Sequence, residues 1–368
     1  MILLGFHYAL RERTRFALTA AGVAAAVLLT VFLVGVYRGA TRGSLSYIEG
    51  TGADVWVGRR GTWNLLRAGG MIPVKAKPLL EEIRGVVSAE PILESLLPAK
   101  LSDGRRTLLA IGLPAGASLS RPRHIEAGRA MPRRGEIVLD RAFAHRAGLH
   151  VGDRVELADR TFRIAGISRE TNLLVTQYAF LRREDLESLL GVEGQATFFL
   201  LRVRHGESHA VVKRLERRSR LIAAFDRATF LENNHREIAS GFLPVLAAMA
   251  LIGLSIGAAV VALMTYTAVL EKRGDYALIG ALGGGEGSRF LVVMQQSLAA
   301  AVAGALAGLV LLHVIGRLLP SMAPEVELVV EPWVAAAAIL GALVTAAIGA
   351  LVPAGIATSV APMEALRR

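Results

Sequence analysis

The chain has 368 residues, of which 53% are apolar and 20% charged, and a formal net charge of +11. It contains no cysteine, which excludes disulfides, thiol catalysis and cysteine-based metal sites. The apolar excess is gathered into four long runs without Asp, Glu, Lys or Arg, which excludes an ordinary water-soluble fold.

Leu3, Phe6 and Leu10 fall near one helical face just before Arg11, Arg13 and Arg15. That pattern predicts an interfacial helix over residues 1–15, lying on the inner leaflet. Phe16 to Tyr37 follows, flanked by Arg15 and Arg38. At the helical rise these roughly 22 residues reach ~33 Å, enough to cross a bilayer. The apolar core is longer than a signal peptide's and no clear A-x-A site follows it, so the run is read as a retained anchor. The other spans are expected at 241–270, 290–316 and 332–356, with a large insert at 38–240. The predicted fold class is therefore a membrane α-helical protein with four transmembrane helices (1+3). A large α+β extracytoplasmic domain lies between the first and second.

Basic residues in short loops mark the cytoplasmic side. Arg11, Arg13 and Arg15 precede the first span, and Lys272, Arg273 and Arg289 lie between the second and third. Arg367 and Arg368 follow the fourth, on a tail expected over 357–368. The third loop, 317–331, sets Arg317 against Glu325, Glu327 and Glu331. Both termini are expected inside and the insert outside. Most of the positive charge lies in the insert, where a solvated arginine-rich surface is a simpler account than an acidic partner.

Within the insert, Asp54–Val57 reads as a strand and Pro78–Ile83 as a short helix. Ile92–Leu101 and Thr107–Leu113 read as extended. Gly135–Asp140 leads into a small helix ending at Gly148. Val151–Leu157 and Thr161–Ala165 form a hairpin around Ala158-Asp159-Arg160. Leu174–Leu181 then Arg183–Leu190, and Thr197–Val203 then His209–Arg220, give two strand-then-helix units. They predict an α+β domain of two lobes.

The stretch from Tyr266 to Gly283 is the most informative of the chain, and a cytoplasmic coupling helix and loop are expected over 271–289. It leaves a long uncharged helix, becomes charged at Glu271, Lys272, Arg273 and Asp275, and turns apolar again through Tyr276, Leu278, Ile279, Ala281 and Leu282 to Gly283. A charged knuckle and a short glycine-ended helix between two spans suggest a docking element for a soluble partner. Tyr276, Ile279 and Leu282 recur at helical spacing and are expected to enter the partner's groove, with Lys272 and Arg273 on its acidic rim.

Other motifs carry less. Gly253-x-Ser255-x-Gly257 matches a nucleophile elbow, but that elbow needs a strand-to-helix turn. Here it lies inside a continuous apolar run, with His313 near the far end of another. Gly253 with Gly257, and Gly304 with Gly308, are better read as helix-packing faces, with Ser255 bonded to a carbonyl. No catalytic, cofactor-binding or metal-binding residues are predicted. No Gly-Lys dipeptide occurs, so there is no Walker A phosphate loop, and any ATPase must be a separate chain. No charge interrupts a span, which argues against an ion-coupled carrier.

Residues 271–283 closely resemble the cytoplasmic coupling helix of the MacB/FtsX-type ABC transporter permeases. Lys272-Arg273 match its basic pair, Asp275 replaces the usual glutamate, and Ala281-Leu282-Gly283 match its end. Glu136–Asp140, Ala142, Gly148-Leu149, Val151-Gly-Asp153 and Phe162–Ile167 are similar to the family's periplasmic domain. Pro353–Ala357 and Ala361–Arg367 are similar to its closing motifs. Within the family, Asp54–Val57 and the compact insert resemble the DevC-type exporter branch.

The resemblance implies a non-catalytic permease working by mechanotransmission in the bacterial cytoplasmic (inner) membrane. It implies a cytoplasmic ABC ATPase subunit, which would carry the ATP and Mg, and a second permease copy in a homodimer. A periplasmic adaptor or effector and membrane lipid are further partners, and no nucleic acid is expected. The substrate would be amphipathic or periplasmic: a lipid, glycolipid, lipoprotein, peptide or drug. The alternative is a non-transporting signaller that activates a cell-wall hydrolase or a sensor kinase.

Overall fold

The computed structural model describes residues 13–66, 69–101, 104–172, 176–324 and 326–359. The expected interfacial helix at Leu3–Leu10, Leu174, Glu325 and the closing motif from Ala361 lie outside the described residues. The chain forms two compact units. One comprises residues up to Arg38, Phe242–Leu319 and those from Leu328 onward; the other is Gly39–Gly241 with Pro320–Glu327.

Helix α1 runs Arg13–Gly50, well past the uncharged stretch that announces it. Charge alone does not end a helix. Beyond Arg38 the residues Ala40, Ser44, Tyr47 and Ile48 recur on one face and are buried, the last two in the core of the inserted domain.

The insert opens with β1 (Val55–Arg59), the two-residue β2 (Ile72–Pro73), and α2 (Lys77–Glu81). Next come β3 (Val86–Leu101), β4 (Gly104–Leu113), β5 (Ile125–Gly128) and β6 (Glu136–Asp140). α3 (Arg141–Ala147) leads to β7 (Arg154–Leu157), β8 (Arg160–Ser168) and β9 (Gln177–Arg182). α4 (Arg183–Leu190), the two-residue β10 (Gln195–Ala196), β11 (Phe198–Val203), α5 (Ser208–Arg218) and β12 (Ile222–Asp226) complete it.

Ten strands join in the order β12-β1-β11-β3-β4-β9-β6-β8-β5, with β7 pairing β3 and β8. The two expected lobes share a strand. The first half of β3 pairs β11 over Val86–Ile92, and the second half pairs β4 over Leu93–Leu101. At the switch the Thr197 hydroxyl accepts from Glu94 N at 3.0 Å, and Thr197 N donates to Ile92 O at 2.8 Å. These bonds keep the ladder satisfied where the partner changes. The hairpin from β7 to β8 turns on Ala158 and Asp159, with φ of 46° and 63°. Both are left-handed, as a two-residue turn of this type requires.

Three apolar clusters fill the domain. One packs α5 and Leu80 against β1, β11 and β12, and a second packs α3 and α4 against β4, β6, β8 and β9. The third is aromatic: Trp56 stacks on Phe230 at 4.4 Å, and Tyr47 sits 5.0 Å from Tyr178.

α6 (Arg227–Glu271) begins in the insert, where Phe230, Asn234 and Ile238 form its buried face, and continues through the second apolar run. α7 (Arg273–Ala281), α8 (Glu286–Met322) and α9 (Pro332–Thr358) follow. α1, α6, α8 and α9 are each long and apolar enough to cross a membrane. The loop expected at 317–331 is shorter than its charges suggest, because α8 stays helical to Met322. The connection then lies along α1, with Val329 N donating to Gly35 O at 3.1 Å.

Small residues set the helix spacing. A Cβ on Gly304 would meet the Ala20 carbonyl and Val23, and one on Gly308 would come 2.7 Å from the Ala24 carbonyl. Both contacts are with α1 of the same chain. Gly257 faces Ala26 and Gly253 faces Leu29, also on α1, at 3.2 and 3.5 Å by the same measure. Ser255 Oγ donates to Leu251 O at 2.8 Å within its own helix.

Candidate coupling site

The charged knuckle is a tight corner between two helices. α6 ends at Glu271, Lys272 N donates to Ala268 O at 3.1 Å, and Tyr276 N donates to Lys272 O at 3.1 Å. The first bond finishes one helix and the second starts the next, so Lys272 is a hinge of a single residue. An ion pair from Arg15 on α1 to Glu271 braces the corner. Beside it the Thr265 and Ser297 hydroxyls pair at 3.1 Å. They line a pocket of about 30 Å³, the size of one water, with Arg15, Thr19 and Gln296.

Glycines close the other end. Gly283 has φ of 87°, Gly283 N donates to Gly280 O at 3.1 Å, and Gly284 N donates to Ile279 O at 2.9 Å. This left-handed cap satisfies the last carbonyls of α7 and turns the chain towards α8. The three glycines at 283–285 thus make a defined stop.

The helix between these ends has two unlike faces. Tyr276 is 3% exposed and packs with Val269, Val293, Ala354 and Ala357 from α6, α8 and α9, and Ala277 is fully buried. Ile279 packs against the same cluster. The opposite face carries Leu278 and Leu282, 53% and 80% exposed, with Asp275 and Ala281 beside them and Arg273 and Glu271 at the knuckle.

The expected docking triad is therefore corrected. Of Tyr276, Ile279 and Leu282, the first two hold α7 to its own bundle and only Leu282 is presented outward. The helical period is the same for either face, so spacing could not choose between them. Leu278, four residues before Leu282, is the second large apolar side chain exposed on that face.

Arg289 is a residue that sequence reasoning used only as a topological charge. It is buried in the first turn of α8, just after the corner. Among the described residues no group of three or more His, Asp or Glu is arranged to hold a metal ion.

Two family profiles match the chain. The MacB-like periplasmic core domain matches residues 16–218, and the FtsX-like permease C-terminal domain matches residues 247–362. An uncharacterized ABC transporter permease of Methanocaldococcus jannaschii is 25% identical over 232 residues, 60% of this chain and 58% of the relative. One from Mycobacterium tuberculosis is 25% identical over 304 residues, 79% of each chain. The chain thus spans somewhat over half of the archaeal relative's length. Among solved structures, the periplasmic region of MacB from Actinobacillus actinomycetemcomitans aligns at a TM-score of 0.38 and 12% identity. That alignment covers 50% of this chain and 94% of the other. The extracellular domain of the noncanonic ABC-type transporter YknZ from Gram-positive bacteria aligns at 0.37 and 9%, over 47% and 100%.

Proposed function

The chain belongs to the MacB/FtsX family of ABC transporter permeases, and we propose that it works by mechanotransmission with a separate cytoplasmic ATPase subunit. ATP and Mg would be bound by that subunit. Two permease copies would form the complex, in the bacterial cytoplasmic membrane with both termini inside. The work done is export or extraction of an amphipathic or periplasmic substrate, with a periplasmic adaptor or effector as a further partner.

The observation that carries this reading is the two-faced helix α7. Its inner face is fixed to α6, α8 and α9, so a push on its outer face is passed to three spans. The Arg15–Glu271 ion pair adds the fourth helix, α1, to the same corner. α1 and α6 are each unbroken from the apolar run into the inserted domain. A displacement of the corner therefore has two continuous helices along which to travel.

Leu278→Asp and Leu282→Asp test the reading. Each puts a charge on the outward face without touching the inner one. Loss of a buried interface anchor commonly costs ~2 kcal/mol or more, roughly 30-fold in affinity. Co-purification of the ATPase should fall by at least that factor, with membrane insertion and melting temperature unchanged. Undiminished co-purification of the double variant would remove α7 as the docking element.

A further inference from the structure

The helical unit holds a cavity that the coupling reading does not use. It has a volume of about 230 Å³ and lies between α1, α6 and α9. Val27, Thr30, Val31 and Val34 give one wall, Leu254 a second, and Trp333 to Gly341 the third. Thr30 Oγ1 donates to Ala26 O at 2.8 Å, so its hydroxyl is satisfied within α1. A dry apolar cavity of ~150 Å³ already accepts benzene, and this one is larger.

Its shape and mouth narrow the occupant. From Val27 to Val34 on α1, and from Trp333 to Gly341 on α9, the lining runs ~10–12 Å along the helices. That is an elongated slot, suited to a chain and not to a compact ring system. One end is polar. Arg38 pairs with Glu331, and its guanidinium lies 4.6 Å from the centroid of the Trp333 ring. The Trp333 indole N–H donates to Glu331 Oε2 at 2.5 Å. Glu331 thus has both oxygens engaged, while a guanidinium has five donors in a fork that suits phosphate. Tryptophan is enriched at the level of lipid head groups, and a long arginine side chain near a helix end reaches the same level.

We propose that this cavity holds one acyl chain of an anionic phospholipid, its phosphate meeting Arg38 and its methylenes lying along Val34, Val31 and Val27. This extends the reading above from a class of amphipathic molecule to a place and a head-group charge. It needs no ATPase to be tested, so its failure and the failure of the coupling reading are distinguishable.

The test uses the full chain in nanodiscs of phosphatidylcholine doped with a phosphatidylglycerol that carries a diazirine in mid-chain. After photolysis, adducts should concentrate on residues 27–34 and 333–341. Gly341→Phe should cut them at least tenfold, because a Cβ there meets nothing within 4 Å and the new ring enters the slot. Adducts on the outward-facing Leu306 and Val310 of α8 should not change. Arg38→Gln should abolish the excess labelling by the phosphatidylglycerol probe over a phosphatidylcholine probe. Equal labelling of the slot by both probes in the unaltered protein would overturn the proposal, as would labelling unaffected by Gly341→Phe. If that variant fails to insert, Ala337→Leu narrows the same slot and is judged by the same criteria.

Discussion

Asp140 shows how much one buried carboxylate is asked to do in the inserted domain. It caps α3, accepting from Ala142 N at 2.8 Å, and its other oxygen accepts from the Thr171 hydroxyl at 2.7 Å. Thr171 in turn pairs with Ser168 Oγ at 2.8 Å, tying the cap to the end of β8. Burial pushes the Asp140 carboxyl above its ordinary value of 3.8, outweighing the pull of Thr171, Ala142 and Arg141. The folded state therefore keeps a proton that the unfolded chain has already released. Stability is lost as pH rises from the ordinary value through the raised one. Asp140→Asn keeps an acceptor for Ala142 N and removes the titration, so the melting temperature of wild type relative to this variant should fall as pH rises through that window. Asp140→Ala should lower stability at every pH by ~1 kcal/mol, the usual worth of such a cap. A wild-type melting temperature that rises relative to that of Asp140→Asn over that window would contradict the sign of this coupling.

At the scale of elements, the sequence could be read where local chemistry and period agree. Asp140 before a short apolar helix and Gly148 after it mark α3 at both ends, and the structure has Gly148 at φ of 63°. Alternation in Val151–Leu157 and Thr161–Ala165 marks a hairpin in the same way. β3 could not be read as one strand of 16 residues, because Pro91 and Pro98 interrupt its pattern and its two halves pair with different neighbours. α7 was legible as a helix, but its inward face was not. Ile279 and Leu282 are equally apolar in sequence, and only the cluster around Val293 and Ala354 decides which is covered. Arg38 is far along the chain from Glu331 and Trp333, and no spacing brings it to them.

The small-residue pairs of α8 permit a sharper prediction than their spacing does. Gly304 and Gly308 meet the backbone of α1 in the same chain, so a side chain at either must separate two helices. Overpacking of this kind costs ~1–3 kcal/mol. Gly304→Ile should lower the melting temperature in detergent, whereas Gly341→Ala should not, since the space beside Gly341 is open. Oligomer mass should be the same for both variants, because these contacts lie within one subunit. A Gly304→Ile protein that melts normally but has lost a partner copy would move the pair to an interface between chains.

For the whole molecule, the sided arrangement of charge is the property on which every functional reading depends. α7 can meet a cytoplasmic ATPase only if the corner at Lys272 faces inward, and the Arg38 end of the lipid slot must then face outward. The short segments give the argument. Arg13 and Arg15 stand in the first turn of α1, and Lys272 and Arg273 before or within α7. Glu327 and Glu331 lie in the connection from α8 to α9. Basic residues near span ends resist translocation, while acids contribute little, and a long insert crosses largely regardless of its own charge. The strong positive charge of the inserted domain therefore does not oppose an outward location. Reporter fusions after Arg60, Gly285 and Glu327 should read outside, inside and outside. An inside signal at Arg60 would reverse the insert and detach α7 from any cytoplasmic partner. An outside signal at Gly285 alone would mean that α6 does not cross, leaving the corner at Lys272 on the same side as the inserted domain.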